Sequence, residues 1–346
     1  MAYFLLQFNI LLLLILYKFS KSKYFLYTIV LILILFSGFR YGIGVDYFSY
    51  ENHFQAIKYG YESSLEIGIQ FIVYLTDYIG TTQLAFFVFS LITVVMFFKY
   101  INAFSANYFI SWIIFISYGT YYLGSFNLIK QYIAISIFAF SIKYIVNGNL
   151  LKYIISIVIA SLFHLSALLL LPMYLLKIKF KFYHYFILFI LFIFSLNAIE
   201  YLISFTKYSI YLDERWATSM INDRNISMTY LFIVINVLII STKNFISNIK
   251  HGYVFVNMAF VSLIIISASL FIDFLPNMFF FRINNYFMIS YIILITYYIS
   301  NFNKFIKIIA STIIILLMYL YFTLTLIYKG EIYNLTPYET NFAIIK

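Results

Sequence analysis

The chain has no cysteine, which excludes disulfides, thiol catalysis and thiolate metal sites. Histidine is scarce: His53, His164, His184 and His251 are the four, and none are spaced i, i+4, which argues against a His-rich metal centre. Charge is also thin. Charged residues are 10% of the 346, too few for a soluble enzyme of ordinary composition. Walker, Rossmann, zincin and nucleophile-elbow signatures are missing. No internal repeat, low-complexity linker or separate soluble domain can be discerned. The first hydrophobic run, Tyr3 to Tyr17, lacks a basic leader and a small-residue cleavage site, and reads as a retained helix.

What is abundant is apolar. Hydrophobic residues make up 64% of the chain, and the mean hydropathy is +0.97. Apolar segments fall near 3–17, 24–39, 66–80, 82–99, 107–123, 127–146, 151–176, 183–203, 227–242, 253–271, 282–300 and 305–328. At one span per 20 residues or so, this predicts an all-α integral membrane protein, a helical bundle of about 10–12 transmembrane helices. Residues 1–346 read as a single polytopic membrane domain, interrupted by two longer polar loops, 40–65 and 204–226. The many Tyr and Phe suit interfacial belts and helix interfaces. The net charge of +10 is dispersed between apolar runs, so no nucleic-acid partner is expected and the lipid bilayer is the expected surrounding.

Basic residues set the orientation. Lys18, Lys21 and Lys23 place the first short loop inside, which puts 40–65 outside. Lys99 lies inside if 82–99 crosses and 66–80 does not; Lys143 and Lys152 follow. The segment 151–176 is bracketed by Lys152 and by Lys177, Lys179 and Lys181. A re-entrant or sharply broken path near 151–176, as near 66–80, keeps both lysine groups inside. Such backbone is tolerated where protein buries it or it lines a cavity. Pro172 and the pair His164–Ser166 suit a break. The acids Asp46, Glu51, Glu62, Asp213, Glu214, Asp223 and Asp273, and all four arginines, then collect outside.

Five constellations carry polar chemistry. The block Arg40-Tyr41-Gly42-Ile43-Gly44-Val45-Asp46-Tyr47 opens the outer loop. Its glycines permit a tight turn, and its arginine suits bidentate capture of a phosphate or carboxylate. Asp46 suits orienting that arginine or accepting a hydroxyl proton. The plainer reading is a helix stop with interfacial aromatics and a surface ion pair. Asn127, Lys130 and Gln131 open the helix 127–146, where the N-terminus favours anions; a snorkelling lysine is the alternative. His164 and Ser166 lie within an apolar stretch, which marks a functional site by default, against a neutral histidine bonded to a neighbouring helix. Arg282 heads a helix near Asp273 and Pro276 and shares a face with Tyr286 at i, i+4. It is a site residue or a topological anchor. Arg215, in the loop 204–226 with Trp216, suits carbohydrate contact or plain solvation.

The first four of these motifs, in this order, resemble the EpsG-type family of bacterial polysaccharide polymerases, Wzy-like proteins. The family's Arg-Tyr-x-x-Gly-x-Asp-Tyr block reads here as Arg40, Tyr41, Gly44, Asp46 and Tyr47. An acidic residue before the next apolar segment is Glu66. The family's Asn-x-x-Arg-Gln reads Asn127, Lys130 and Gln131. Its Phe-His-x-Ser-Ala block is Phe163, His164, Ser166 and Ala167, followed by Leu171-Pro172. Its Arg-x-x-x-Tyr-Phe block is Arg282, Tyr286 and Phe287. The set spans about residues 36–290. One departure is Lys130, which keeps the family arginine's charge but loses its bidentate fork.

The resemblance implies a GT-C-like glycosyltransferase of the bacterial inner (cytoplasmic) membrane with its active site facing the periplasm. It implies an O-antigen, capsule or exopolysaccharide repeat-unit polymerase. One glycan passes from undecaprenyl pyrophosphate to the non-reducing end of another undecaprenyl-pyrophosphate-linked repeat unit. Arg40, Lys130 and Arg282 are the cations expected to meet the leaving pyrophosphate. Asp46 or Glu66 is the expected general base, and His164 positions acceptor or pyrophosphate. Arg40, Asp46, His164 and Arg282 are thus the expected catalytic set. Tyr41, Tyr47, Glu66, Asn127, Lys130, Gln131, Ser166, Arg215 and Tyr286 are the expected substrate contacts. No cofactor or metal is expected, since cationic side chains can replace one, and a separate chain-length regulator is a possible protein partner. Rival readings are a lipid-linked oligosaccharide flippase or transporter, which calls for repeated halves, and a membrane O-acyltransferase, which calls for a paired base. A non-enzymatic scaffold leaves Arg40, His164 and Arg282 without a reason.

Overall fold

The computed structural model describes residues 1–204, 226–246, 249–272 and 277–342. The loop 204–226, with Arg215, lies almost wholly outside the described residues, as does Asp273. The chain forms two compact units. One comprises Met1–Tyr174 with Phe302–Lys346, the other Leu175–Asn301.

In the first unit, α1 (Ala2–Ser20) and α2 (Tyr24–Gly38) lead into a two-residue strand β1 (Arg40–Tyr41). Then come α3 (Tyr47–Lys58), α4 (Ile67–Ile79), α5 (Thr82–Phe104), α6 (Tyr108–Ser117), α7 (Gly124–Asn127), α8 (Ile129–Val146) and α9 (Leu150–Ser161). A 3-10 helix covers Leu165–Lys177. The second unit holds α10 (Phe182–Ser204), α11 (Ile226–Ser241), α12 (Lys243–Ile246), α13 (Gly252–Phe271), α14 (Asn277–Met288) and α15 (Ser290–Ser300). The chain returns to the first unit with α16 (Lys304–Lys329) and a short strand β2 (Glu339–Thr340).

Five described helices, α1, α5, α8, α13 and α16, are each long and apolar enough to cross a membrane. The pair α14 and α15 meets the same test together, bent by 46°. Six further apolar helices are shorter: α2, α4, α6, α9, α11 and the 3-10 helix. The protein is an all-α polytopic membrane protein.

Burial follows the distribution of apolar residues around each helix. α8 is apolar on most sides and mostly buried, which makes it the centre of the first unit, packed between α5 and α9. α16 packs on α6 but leaves Ile308, Leu316, Leu317, Leu320 and Leu324 exposed, a face suited to lipid chains. In the second unit α13 packs against α11, α14 and α15. There the buried Asn236 amide donates to Ser262 Oγ at 3.1 Å and accepts from the Tyr291 hydroxyl at 2.8 Å. Such interhelical hydrogen bonds hold apolar helices together where hydrocarbon offers no partner.

Several expected boundaries shift. The polar loop 40–65 contains a helix, α3. Its Tyr47, Tyr50 and Phe54 recur at helical spacing and are buried. The segment 107–123 is helical only to Ser117. Asn127 does not open the helix 127–146: it closes the short α7, and α8 starts at Ile129 after a break at Leu128. Likewise Arg282 does not head its helix. α14 starts at Asn277. The apolar run 282–300 is two helices rather than one. The stretch 151–176 is broken, with α9 ending at Ser161 and the 3-10 helix starting at Leu165.

Candidate active site

The break after α9 and the start of α4 meet in the first unit. Gly68 lies in the first turn of α4, and its N–H donates to the Leu162 carbonyl at 2.8 Å. A Cβ on Gly68 would sit 2.8 Å from that oxygen, so only glycine permits the approach. The contact brings Glu66, just before α4, next to His164, just after α9. The Glu66 carboxylate is then shared. Its Oε2 accepts from Lys130 Nζ at 2.9 Å, and its Oε1 lies 3.2 Å from His164 Nδ1. Three residues 64 and 34 positions apart along the chain thus meet at one carboxylate.

The three side chains are partly accessible: 14% for Glu66, 22% for His164 and 29% for Lys130. Burial alone raises the Glu66 pKa, but hydrogen bonds from His164 and Lys130, and the lysine charge, outweigh it and pull it down to about 2. A carboxylate held that low stays ionised at neutral pH and is a weak base. It is better suited to orienting its partners.

Arg40 is placed differently from the anion grip expected of it. It is 2% exposed, and its guanidinium is turned into the protein. Nε donates to the Ile43 carbonyl at 3.2 Å, one terminal nitrogen to the Ser37 carbonyl and hydroxyl, and the other to the Phe126 carbonyl at 3.3 Å. The rings of Phe86 and Phe126 lie 5.4 and 4.8 Å from its central carbon. These bonds tie the loop after α2 to the end of α7. An arginine does this well because its planar fork offers several donors in fixed directions.

The rest of the block is locked to the same neighbour. The Val45 N–H donates to Asn127 Oδ1 at 2.7 Å. Gly44 has φ +103°, and a Cβ there would lie 2.8 Å from the Phe126 carbonyl oxygen. Tyr47 stacks on Phe86 at 4.5 Å, and its hydroxyl donates to Gln83 Oε1 at 3.0 Å. Gln83 in turn donates to the carbonyls of Gly38, at 2.6 Å, and Arg40, at 3.2 Å. Tyr41 is exposed. The half-buried Asp46 makes no side-chain hydrogen bond or ion pair among the described residues. Gln131 is buried beside Lys130 in sequence, and Ser166 is half-buried.

Arg282 and Tyr286 belong to the second unit. Arg282 is exposed on α14 and Tyr286 is buried. The structure brings together Glu66, Lys130 and His164, and separately Arg40 with Asn127 and Tyr47. Sequence reading missed Gln83, Gly68 and the Phe126 carbonyl. A lone glutamine inside an apolar segment was a signal for the first; a backbone acceptor leaves none.

The profile of the EpsG family matches residues 23–340. No curated protein and no solved structure matches the chain. The match takes in both units, from α2 to β2, and every motif described above. The chain therefore belongs to the EpsG family.

Proposed function

We propose that the protein is a polysaccharide repeat-unit polymerase. It transfers a glycan from undecaprenyl pyrophosphate to the non-reducing end of another undecaprenyl-pyrophosphate-linked repeat unit, at the outer face of the bacterial cytoplasmic membrane. Family membership supports the polymerase class, and the carboxylate shared by Lys130 and His164 carries the mechanism.

Glu66 accepts the Nδ1 proton of His164, which leaves Nε2 as the free lone pair. His164 Nε2 then takes the proton of the acceptor hydroxyl as its oxygen bonds to the anomeric carbon. The anomeric bond to pyrophosphate breaks, and the electron pair leaves with it. Negative charge grows on the departing oxygen, and Lys130 lies at the N-terminal end of α8, where charge and helix dipole both favour an anion. Glu66 orients both partners and stabilises the imidazolium that forms. The leaving group is a good one, so the step does not call for a strong base. Arg40 and Asn127 hold the loop that frames this corner. Asp46 accepts from a glycan hydroxyl, and Tyr41 stacks on a sugar ring. The GT-C class and independence of metal belong to the same proposal.

The test is the surface-polysaccharide ladder of a strain lacking the gene, complemented with wild type, His164→Gln or Lys130→Met. The expected result is collapse to a single repeat unit in the deletion and in both variants at equal membrane levels. Loss of even the single unit, with lipid-linked units accumulating inside, would show a flippase instead. An unchanged ladder in the deletion strain would sink the proposal.

A further inference from the structure

The stretch after α16 is polar in sequence, and none of the motifs falls on it. In the structure its residues between Asn334 and Phe342 contact the Arg40 block and the end of α2 at several points. β2 pairs antiparallel with β1, with Arg40 opposite Thr340 and Tyr41 opposite Glu339. The Asn341 N–H donates to the Phe39 carbonyl at 2.7 Å, and the Gly44 N–H donates to the Asn334 carbonyl at 2.9 Å. Tyr338 stacks on Phe36 with centroids 4.1 Å apart, and its hydroxyl donates to the Phe36 carbonyl. Tyr3 meets the same ring edge-on at 5.4 Å. Phe342 packs on Phe39 at 5.0 Å, and Leu335 is buried.

A two-residue ladder does not hold two segments together by itself. The aromatic stack and the buried leucine supply what the ladder lacks. The backbone groups the tail engages, at Phe36, Phe39 and Gly44, bracket the turn that carries Arg40. Beyond that turn, Arg40 reaches the Phe126 carbonyl and Val45 reaches Asn127. Those two residues lead directly into α8 and Lys130. The tail is thus joined to the start of α8 through one continuous set of contacts.

We propose that residues 330–342 are a positioning element of the candidate active site, with Tyr338 as the residue through which the tail sets the Arg40 block and the start of α8. The inference rests on the polymerase reading for the reaction that is positioned. Tyr338 acts through the block rather than on substrate.

The absence of native cysteine makes the test direct. Phe39→Cys and Asn341→Cys place two thiols one step beyond the β1–β2 ladder, on residues joined by the hydrogen bond from the Asn341 N–H to the Phe39 carbonyl, where Cα atoms lie about 5–6 Å apart, within disulfide range. Mild oxidation of membranes carrying the full chain is expected to close this pair, seen as a gel shift that reductant reverses. In the same background Tyr338→Leu is expected to shorten the ladder, with polymerisation reduced about tenfold. Tyr338→Phe keeps the stack and is expected to retain most activity. Oxidising the 39–341 pair is expected to restore the Tyr338→Leu ladder. No crosslink would overturn the proposal, even where Tyr338→Leu fails to accumulate. So would a full ladder in Tyr338→Leu, or in a chain ending at Lys329. An intact ladder in the gene deletion would overturn the polymerase reading, and this role with it; a missing crosslink overturns this role alone.

Discussion

Replacing Glu66 by glutamine keeps the shape of the side chain and removes its charge. The native carboxylate is pulled from 4.5 to about 2 by His164 and Lys130 against the opposing effect of burial. A shift of that size corresponds to about 3 kcal/mol of interaction favouring the ionised form. All three groups are less than a third exposed, so solvent screening removes only part of it. Because the folded-state pKa lies below the unfolded one, this stability is fully present above pH 4.5 or so. It is lost as pH falls toward about 2. Glu66→Gln is therefore expected to lower stability by roughly 2–3 kcal/mol at pH 7, and the gap to wild type is expected to shrink by about half at pH 3. Thermal unfolding of the purified protein in detergent across that pH range measures it, alongside the polysaccharide ladder, which should collapse. A Tm difference that stays constant from pH 7 to pH 3 would refute the electrostatic reasoning. So would simple additivity of Glu66→Gln and Lys130→Met, since groups in direct contact are expected to couple.

Two other substitutions test the frame around that corner. Gly44→Ala forces a Cβ to 2.8 Å from the Phe126 carbonyl at a φ of +103°, and is expected to lower stability by about 2 kcal/mol or more; wild-type Tm and membrane level would refute the close approach. An Arg40 that only met the leaving pyrophosphate would make Arg40→Ala fail in chemistry alone. The structure changes that expectation. Arg40→Ala strips a donor from buried carbonyls at Ser37, Ile43 and Phe126 and is expected to cost about 3 kcal/mol, read as a lowered Tm and reduced membrane level. Normal stability with lost polymerisation would restore Arg40 to direct contact with the anion.

Hydropathy is summed over neighbours in sequence, so the membrane class and most apolar helices were legible without a fold. So was the family, because its motifs keep their order along the chain. The amphipathic spacing of Tyr47, Tyr50 and Phe54 also contained α3, though the surrounding polar residues made it read as loop. The break between α9 and the 3-10 helix was legible from the lysines that flank the segment. Glu66, Lys130 and His164 were each named from sequence as separate candidates, each with a different expected role. That one carboxylate joins the other two depends on Gly68 letting α4 approach Leu162, a long-range packing event with no local signal.

The direction of Arg40 was equally hidden. An arginine after an apolar helix fits an anion grip and a buried carbonyl clamp alike, and only the position of Phe126 decides between them. Sequence by itself determined that this is an all-α membrane protein of the EpsG family, because burial in lipid and motif order are properties of the chain read end to end. Tertiary structure alone decided which polar groups face each other, including the tail on the Arg40 block. Among the described residues such hydrogen bonds join positions up to 302 apart, whose meeting is set by how the helices pack.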